Sequence, residues 1–236
     1  MNIGLIIAGG VGARMNTTTP KQFIAVKGKP VIVYTLDAFQ QNESIDAIAV
    51  VCLQGWEGVL RKYVKNYNLT KVKWIAYGGE TGMESLRNGM EVLRNNCDPD
   101  DIVIIHDAVR PLISNDIINA NIAGVVQNGN AITVVPTTEA LLESLDGEMS
   151  AKVVDRNLVY RTQTPQSLYL SKFIWAHEEA IKRGIKDTVA TCTLLIDLGE
   201  KVNFVLGEGI NFKITKKEDI VLFDAYLTCM EKNNVK

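Results

Sequence analysis

The sequence is poor in the residues that build metal centres, disulfide frameworks and polyanion-binding surfaces. Among its 236 residues there are only two histidines and four cysteines, and no two cysteines form a Cys-x-x-Cys pair. A structural zinc site therefore has too few ligands, and the cysteines point to a reducing compartment, which we expect to be the cytoplasm. The 27 acidic and 25 basic side chains leave a net charge of −2, which excludes the broad basic field of a general nucleic-acid binder.

The sequence also lacks an apolar run long enough to cross a membrane. The first run, residues 3–8, ends in glycines, has no basic segment before it and is shorter than the core of a secretory signal. No polybasic segment is present that would hold the chain to a membrane surface. We therefore expect a protein that binds neither membranes nor nucleic acids, and in which a few local groups hold any bound phosphate.

Short, almost continuous apolar runs alternate with segments of helical periodicity. Such runs are typical of strands covered on both faces, and apolar residues spaced three and four apart indicate covering helices. The alternation predicts one α/β domain over residues 1–236, with a doubly wound, mostly parallel sheet that binds ligands beyond the carboxyl ends of its strands. The predicted strands are 3–8, 47–53, 72–76, 102–105, 131–135 and 202–206, and the predicted helices are 30–41, 56–67, 82–94, 115–127, 170–182 and 216–231, the last with Thr215 and Glu218 as a capping box.

Residues 137–160 interrupt this alternation. The stretch is polar, it contains the turn signal Asp146-Gly147, and a pair of valines precedes it. This pattern predicts a β-hairpin that projects from the sheet, with a long ordered surface loop as the alternative. Because a hairpin without a core is only marginally stable, we expect it to pack against a second copy of the chain.

A glycine-rich segment follows the first predicted strand. Gly9, Gly10 and Gly12 let backbone N–H groups approach an anion, and Arg14 and Lys21 place positive charge nearby. The segment lacks the third glycine of a Rossmann fingerprint, and the later Gly-Lys pair is followed by proline rather than by the Ser or Thr of a Walker A loop. It predicts a phosphate-binding loop of another kind, whereas a purely structural turn would explain the glycines but not the cations.

Charged groups follow the fourth predicted strand, where an open α/β sheet binds its ligands. Asp107, in the segment His-Asp-Ala-Val-Arg-Pro at 106–111, is suited to hold Mg²⁺ beside phosphate oxygens. The alternative is an ion pair between Asp107 and Arg110 that only ends the strand. We expect His106 to be structural and His177 to lie exposed on its helix.

Two other segments bring polar groups to the ends of predicted elements. Gly79 and Glu80, with Ser85 at a predicted helix start, are suited to read a base and a ribose through backbone groups and a hydroxyl. Lys213 lies between apolar residues in what the sequence indicates as a short strand, where an unpartnered charge is costly. A bound phosphate would supply a partner for this lysine.

Together, five ordered motifs resemble the cytidylyltransferases that activate small polyol phosphates, a family with ribitol 5-phosphate and 2-C-methyl-D-erythritol 4-phosphate types. The resemblance spans essentially the whole chain. It implies a nucleotide-diphospho-sugar transferase-like α/β fold with a protruding β-arm, CTP as co-substrate, Mg²⁺ as cofactor, and a homodimer whose arms complete each other's acceptor sites. The motifs are Ala8-Gly9-Gly10-x-Gly12-x-Arg14-Met15, Pro20-Lys21-Gln22, His106-Asp107-Ala108-x-Arg110-Pro111, Gln163-Thr164-Pro165-Gln166 and Asn211-x-Lys213-Ile214-Thr215.

The resemblance also implies roles for individual residues in binding and transferring the nucleotide. It implies that Arg14, Lys21 and Lys213 are the catalytic cations. Asp107 would lie beside both the metal and the ribose. The residues implied to bind CTP are Ala8, Gly9, Gly10, Gly12, Gly79, Glu80, Ser85, Asp107 and Ala108.

The acceptor would be bound by Ala140 and by Arg156 from the neighbouring subunit's arm, and here the chain departs from the family. Gly82 replaces the family's usual arginine, and Ala140 stands where a threonine is common. These differences weaken the methylerythritol type, and residues 108–111 and 166–167 favour the ribitol type. We expect transfer of CMP from CTP to ribitol 5-phosphate, giving a CDP-polyol and pyrophosphate; the alternatives are methylerythritol phosphate as acceptor and a non-catalytic nucleotide-binding module.

Overall fold

Strands and helices alternate along most of the chain. The computed structural model describes residues 1–10, 18–188 and 190–233. Among these residues, no helix combines the length and the apolar character that a membrane span requires. The strands are β1 (Asn2–Ala8), β2 (Ala25–Val26), β3 (Lys29–Pro30), β4 (Ala47–Cys52), β5 (Val72–Tyr77), β6 (Ile102–Asp107), β7 (Asn130–Pro136), β8 (Leu141–Glu143), β9 (Lys152–Val154), β10 (Tyr160–Tyr169) and β11 (Phe204–Leu206). The helices are α1 (Val31–Gln41), α2 (Glu57–Asn66), α3 (Gly82–Arg94), α4 (Asn115–Asn128), α5 (Leu170–Lys182), α6 (Thr191–Asp197) and α7 (Lys217–Asn233).

A seven-stranded sheet forms the centre of the protein, in the order β11-β7-β10-β6-β1-β4-β5. β1 pairs in parallel with β4 and β6, β4 pairs in parallel with β5, and β7 with β11. β10 runs antiparallel between β6 and β7. The mostly parallel α/β fold predicted from the sequence is confirmed, with one antiparallel strand inserted next to β6.

Successive residues of the central strands face separate apolar cores. Leu5 of β1 packs in a core with side chains from α3, α5 and α6, whereas the neighbouring Ile6 packs in a core with side chains from α1, α2 and α4. β1, β4 and β6 are buried over nearly their whole length because helices cover both faces of the sheet. This double burial explains why these strands stand out in the sequence as continuous apolar runs.

The sequence predicts the second half of the fold less completely. It does not predict α6, and the strand predicted at 202–206 is limited to β11. It also does not predict β10, whose polar residues Gln163, Thr164 and Gln166 break any apolar pattern. All three of these residues line a cavity that is described below.

The start of α7 corrects a detail of the sequence analysis. The helix begins at Lys217, and the predicted capping box of Thr215 and Glu218 is wrong. Instead, the carboxylate of Asp219 accepts the backbone N–H groups of Thr215 and Lys216 at 2.7 and 2.8 Å. Because the helix starts one residue later than expected, Asp219 rather than Glu218 occupies the third helical position that reaches back to the start.

The predicted β-hairpin is present between β7 and β10. β8 and β9 pair in antiparallel register, and the Asp146 carboxylate accepts the backbone N–H groups of Glu148 and Met149 in the connecting turn. The hairpin, rather than the alternative surface loop, is therefore confirmed. Its apolar side chains lie largely in solvent, the most exposed being Leu142, Leu145, Met149, Val153 and Leu158.

Candidate active site

Two glycine segments meet beyond the carboxyl ends of β1 and β5. The backbone of Gly9 lies against that of Gly78, so that a Cβ atom built on Gly78 would be 2.9 Å from the Gly9 Cα. Only glycine allows this approach. Gln22, to which the sequence analysis assigns no role, fixes the start of the glycine loop, because its side-chain amide donates to the carbonyls of Ala8 and Gly10 at 2.7 and 2.9 Å.

The start of α3 borders the same glycine contact. Ser85 is buried, and its hydroxyl accepts the backbone N–H of Gly79 at 3.0 Å. The Glu84 carboxylate accepts the backbone N–H groups of Glu80 and Thr81, and Thr81 caps the helix in return. The structure thus brings together the predicted residues Gly79, Glu80 and Ser85 on a loop of fixed shape. The ordering role of Glu84 is signalled in the sequence by the Thr-x-x-Glu capping box.

A carboxylate between two cations lies at the end of β6. Asp107 Oδ1 is 3.0 Å from Lys213 Nζ, and Asp107 Oδ2 is 3.0 Å from Arg110 Nε. Burial on its own raises the pKa of Asp107, but the charges of Lys213 and Arg110 outweigh it and lower that pKa to about 2. The strand-ending pair of Asp107 and Arg110 therefore exists, and it includes Lys213 as well.

Lys213 lies on an irregular segment between β11 and α7, so the prediction that it belongs to a short strand is wrong. Lys21 reaches the same segment, where its ammonium group donates to the Ile214 carbonyl at 3.0 Å. The structure thus brings two of the predicted catalytic cations to one short segment. The third, Arg14, and the predicted loop residue Gly12 lie outside the described residues.

Two cavities meet at the Asp107–Lys213 pair. The larger has a volume of about 330 Å³ and the smaller about 100 Å³. Both are lined by Ile7, Asp107 and Lys213. The smaller cavity is otherwise lined by Ala8, Gly10, Lys21, Gln22 and Val109. The larger one is otherwise lined by Gly82, Leu86, Ile105, His106, Arg110, Thr162, Gln163, Thr164, Gln166, Thr188, Ala190 and Thr191.

Seven of the predicted residues in the described part of the chain line neither cavity: Gly9, Gly79, Glu80 and Ser85 around the glycine contact, and Ala108, Ala140 and Arg156. Ala108 is buried, and its backbone N–H and carbonyl are already bonded to β1 and to the Thr35 hydroxyl. Ala140 and Arg156 are exposed on the hairpin, where the Arg156 guanidinium donates to the Thr138 carbonyl at 2.9 Å. The chain's own hairpin residues therefore do not line its own two cavities.

The two histidines are both buried, which confirms the expectation for His106 and contradicts the one for His177. His106 Nδ1 is 3.0 Å from Thr164 Oγ1, and His106 Nε2 is 3.0 Å from the Arg110 carbonyl. Burial lowers its pKa to about 4. His177 faces the core from α5 and packs edge-on against Phe173, because it continues the apolar stripe of that helix.

The residues present suit a magnesium ion only in part. Within the described residues there is no group of three or more His, Cys, Asp or Glu side chains placed to hold a metal ion. Asp107 is the one carboxylate that lines both cavities. Mg²⁺ is commonly bound by one or two carboxylates together with substrate phosphates and water, so a single carboxylate is compatible with it.

The chain matches the family model described as IspD, 2-C-methyl-D-erythritol 4-phosphate cytidylyltransferase, over residues 3–229. It is 42% identical over 236 residues to the ribitol-5-phosphate cytidylyltransferase of Streptococcus agalactiae serotype III, covering 100% of this chain and 99% of that protein. It is 34% identical over 232 residues to the 2-C-methyl-D-erythritol 4-phosphate cytidylyltransferase of Clostridioides difficile, covering 98% of this chain and 95% of that protein.

Solved structures give the same result at the level of the fold. The 4-diphosphocytidyl-2C-methyl-D-erythritol synthase of Anaerococcus prevotii superposes with a TM-score of 0.80 at 27% identity, covering 96% of this chain and 98% of that one. The corresponding enzyme of Francisella tularensis superposes with a TM-score of 0.79 at 26% identity, covering 95% and 99%. With a family match over nearly its whole length, the chain belongs to the IspD family and is a cytidylyltransferase.

Proposed function

We propose that this cytidylyltransferase transfers CMP from CTP to ribitol 5-phosphate, forming CDP-ribitol and releasing pyrophosphate. The observation that carries the proposal is the junction of the two cavities at Asp107 and Lys213, where a nucleotide phosphate and an acceptor phosphate can meet. The acceptor is suggested by relatives that are 42% identical over the full chain and are named for ribitol 5-phosphate. Methylerythritol phosphate is the second candidate, and the family description favours it.

The smaller cavity suits the triphosphate. Backbone N–H groups of a glycine-rich loop form a good anion site, and Gly10 and Lys21 line this cavity. Gln22 keeps the loop's first turn in place through its bonds to the carbonyls of Ala8 and Gly10. The nucleoside would then extend from Gly9 toward Gly79, Glu80 and Ser85, as the resemblance implies.

The larger cavity suits the polyol phosphate. Its volume of about 330 Å³ falls at the lower end of the range typical of small-molecule sites. Lys213 and Arg110 line this cavity beside Asp107, with which both form ion pairs, and their positive charges are suited to the acceptor phosphate. The hydroxyls of Thr188 and Thr191 line the cavity as well and are suited to the hydroxyls of the acceptor.

The reaction needs no conventional base on the protein. A phosphate monoester has a second pKa of about 6, so its oxygen is already a dianionic nucleophile at neutral pH. The obstacle is repulsion between this dianion and the triphosphate. We expect Lys21, Arg14 and Lys213 to neutralise both partners and to hold the attacking oxygen in line with the α-phosphorus, while pyrophosphate leaves on the opposite side. Mg²⁺ held by Asp107 would supply further charge neutralisation when bound.

The arm, residues 137–160, is proposed to complete the site of a second copy of the chain. Five of its apolar side chains are more than half exposed within one chain, with Leu145 98% and Leu158 80% exposed, which favours a covered position in a dimer. Arg156 and Ala140 would then approach the partner's acceptor cavity. Sedimentation of the enzyme at the mass of a monomer under assay conditions would contradict this part of the proposal.

We further propose that the enzyme works in the cytoplasm. Cys52, Cys97 and Cys192 form no disulfide. Free thiols without a disulfide partner are typical of proteins in a reducing compartment. Fractionation of cells that carry a tagged copy would test this location.

The acceptor is tested by measuring pyrophosphate release from CTP with separate acceptors. Ribitol 5-phosphate, methylerythritol phosphate and glycerol 3-phosphate are compared at equal concentration, and the CDP product is identified by mass. We expect ribitol 5-phosphate to give the highest kcat/KM. Faster turnover of methylerythritol phosphate would replace the proposed acceptor by the second candidate. CTP binding without pyrophosphate release for any acceptor would instead support the non-catalytic module. UTP, GTP and ATP serve as controls for the nucleotide.

A further inference from the structure

His106 occupies the penultimate position of β6, next to the carboxylate that joins the two cavities. Its imidazole is 0% exposed and lies against the ring of Phe39. Both ring nitrogens nevertheless have a polar partner. Nδ1 is 3.0 Å from the hydroxyl of Thr164 in β10, and Nε2 is 3.0 Å from the backbone carbonyl of Arg110.

The partners fix where the protons lie. A carbonyl can only accept, so Nε2 carries the ring proton and donates it to the Arg110 carbonyl. In the neutral ring Nδ1 is then the acceptor, and the Thr164 hydroxyl donates to it. The same hydroxyl oxygen accepts the backbone N–H of Asp107 at 3.0 Å. One directed chain of hydrogen bonds therefore runs from the Asp107 backbone through Thr164 and His106 to the Arg110 backbone.

This chain of bonds closes on the turn that carries both charged side chains. Arg110 N–H donates to the Asp107 carbonyl at 3.1 Å, and Arg110 Nε meets the Asp107 carboxylate at 3.0 Å. The turn runs from Asp107 to Arg110. At its start the Asp107 N–H donates to the Thr164 hydroxyl, and at its end the Arg110 carbonyl accepts from His106 Nε2. A rotation of the turn would break these bonds and leave buried polar groups unpaired.

Thr164 also connects the turn to the segment that carries Lys213. Its backbone carbonyl accepts the side-chain amide of Asn211 at 2.9 Å. The carbonyl of Asn211 in turn accepts Nη1 of Arg110 at 2.8 Å. Thr164 thus holds together three separate parts of the chain: the end of β6, the middle of β10 and residues 211–213.

We infer that His106 and Thr164 are positioning residues for the transfer reaction, which fix the spacing of Asp107, Arg110 and Lys213 without acting on the reacting atoms. The inference rests on the proposed function in one respect, that these three charges orient the phosphates. An error of about 1 Å in such an arrangement costs on the order of 100-fold in rate. Loss of the hydrogen-bonded pair behind the charges should therefore slow turnover even though all three charges remain.

The test compares Thr164→Val with Thr164→Ser. Valine keeps the shape of the side chain but removes the hydroxyl, whereas serine keeps the hydroxyl. We expect Thr164→Val to lower kcat/KM for the better of ribitol 5-phosphate and methylerythritol phosphate by roughly 10- to 100-fold and to raise the KM for that acceptor. Thr164→Ser should recover most of that loss. Equal losses in the two variants, or an unchanged acceptor KM in Thr164→Val, would overturn the inference.

A second pair of variants separates positioning from mere stability. Thr133 is also buried, and its hydroxyl donates to the Pro165 carbonyl at 2.7 Å, but it lines neither cavity. Thr133→Val should lower Tm as Thr164→Val does and leave the acceptor KM unchanged. The double variant of Thr164→Val and His106→Gln should be no slower than the slower single variant, because both residues act through one chain of bonds. Additive losses in the double variant would contradict this.

A readout that needs no acceptor keeps the inference testable if the proposed function fails. Amide hydrogen exchange by NMR reports the bond from the Asp107 N–H to Thr164 directly. We expect the Asp107 amide to be protected in the wild type and in Thr164→Ser, and to exchange faster in Thr164→Val. Unchanged protection in Thr164→Val would overturn the inference even if turnover fell. Absence of turnover in the wild type with every acceptor would count against the proposed function alone.

Discussion

The proposed nucleotide side of the site, around Gly9 and Gly78, and the proposed acceptor side, around Arg110 and Lys213, are built from different materials. Around Gly9 and Gly78 the surface is backbone, and the approach is so close that a single added carbon would clash. Around Arg110 and Lys213 it consists of side chains from three separate parts of the chain, joined by ion pairs and hydrogen bonds. A substitution can replace a side chain without moving the backbone. A contact between two backbone segments cannot be changed without moving at least one of them. We therefore expect relatives named for different acceptors to differ in the side chains around Arg110 and Lys213 and to keep the glycine contact.

The largest effect is expected on the acceptor side, from Lys213→Ala. The variant removes a charge that lines both cavities and should raise the barrier to transfer by roughly 2.7–4 kcal/mol, by analogy with the loss of one oxyanion donor. Steady-state kinetics should place the loss mainly in kcat. Lys217→Ala, which removes an exposed lysine at the start of α7, is the matched control. Turnover near the wild-type rate in Lys213→Ala would refute the electrostatic mechanism.

A smaller effect is expected on the nucleotide side, from Gly78→Ala. The new Cβ would lie 2.9 Å from the Gly9 Cα and 3.3 Å from the Cys52 carbonyl oxygen, both of which are backbone atoms. Overpacking of this kind costs typically about 1–3 kcal/mol. We expect weaker CTP binding by calorimetry and a lower Tm.

Gly58→Ala is the control for the glycine prediction. Gly58 lies in α2, and a Cβ built there meets no atom within 4 Å. The substitution should raise stability by roughly 0.5–1 kcal/mol, because alanine favours the helix. Equal Tm changes in Gly78→Ala and Gly58→Ala would show that the glycine contact is unimportant.

The smallest effect on catalysis is expected from substitution of His177, which is buried on α5. This histidine should instead lower the free energy of unfolding at acid pH. Its two ring nitrogens have no hydrogen-bond partner, and burial, with a smaller contribution from Arg87, lowers its pKa to about 4. A histidine in the unfolded chain has a pKa of about 6.5, so His177 binds a proton more readily in the unfolded chain than in the folded one. Stability should therefore fall as the pH drops below about 6.5, by up to roughly 3 kcal/mol near pH 4 for this residue.

Urea unfolding at pH 7 and pH 5 measures this loss in the wild type and in His177→Leu. The variant should lose less stability between the two pH values, and His106, whose pKa is also about 4, should account for part of the remaining loss. The acceptor KM at pH 7 should not change. The same pH dependence in both proteins would show that His177 is not the acid-sensitive group.

The sequence predicts the strands that are buried on both faces, and it predicts the candidate site residues that lie at the ends of those strands. β1, β4 and β6 are recognisable because both faces are covered. Gly9 and Gly10 directly follow β1, and Asp107 is the last residue of β6. β10 is missed because its residues Gln163 and Gln166 are polar and yet buried, which an apolar pattern cannot register.

A sequence pattern also cannot predict contacts between residues that are far apart in the chain. The sequence indicates a phosphate as the partner of Lys213, but a carboxylate 106 residues earlier is its partner, and only the fold brings the two together. The sequence does not reveal that His177 continues the apolar stripe of α5, so it predicts an exposed histidine. It predicts Lys21 and Lys213 as catalytic cations, whereas the contacts of Gln22 and Thr164 are seen only in their hydrogen bonds.

The bond between the Lys21 ammonium group and the Ile214 carbonyl spans 193 positions of the chain. Contacts of such high sequence separation form late, because the intervening chain must be ordered first. During synthesis, the glycine loop and Lys21 emerge from the ribosome long before the segment that completes their surroundings. A growing chain that has not yet reached Ile214 therefore contains β1 and Lys21 but not the carbonyl that Lys21 bonds, and these two parts can pair only after the whole sheet between them has been made.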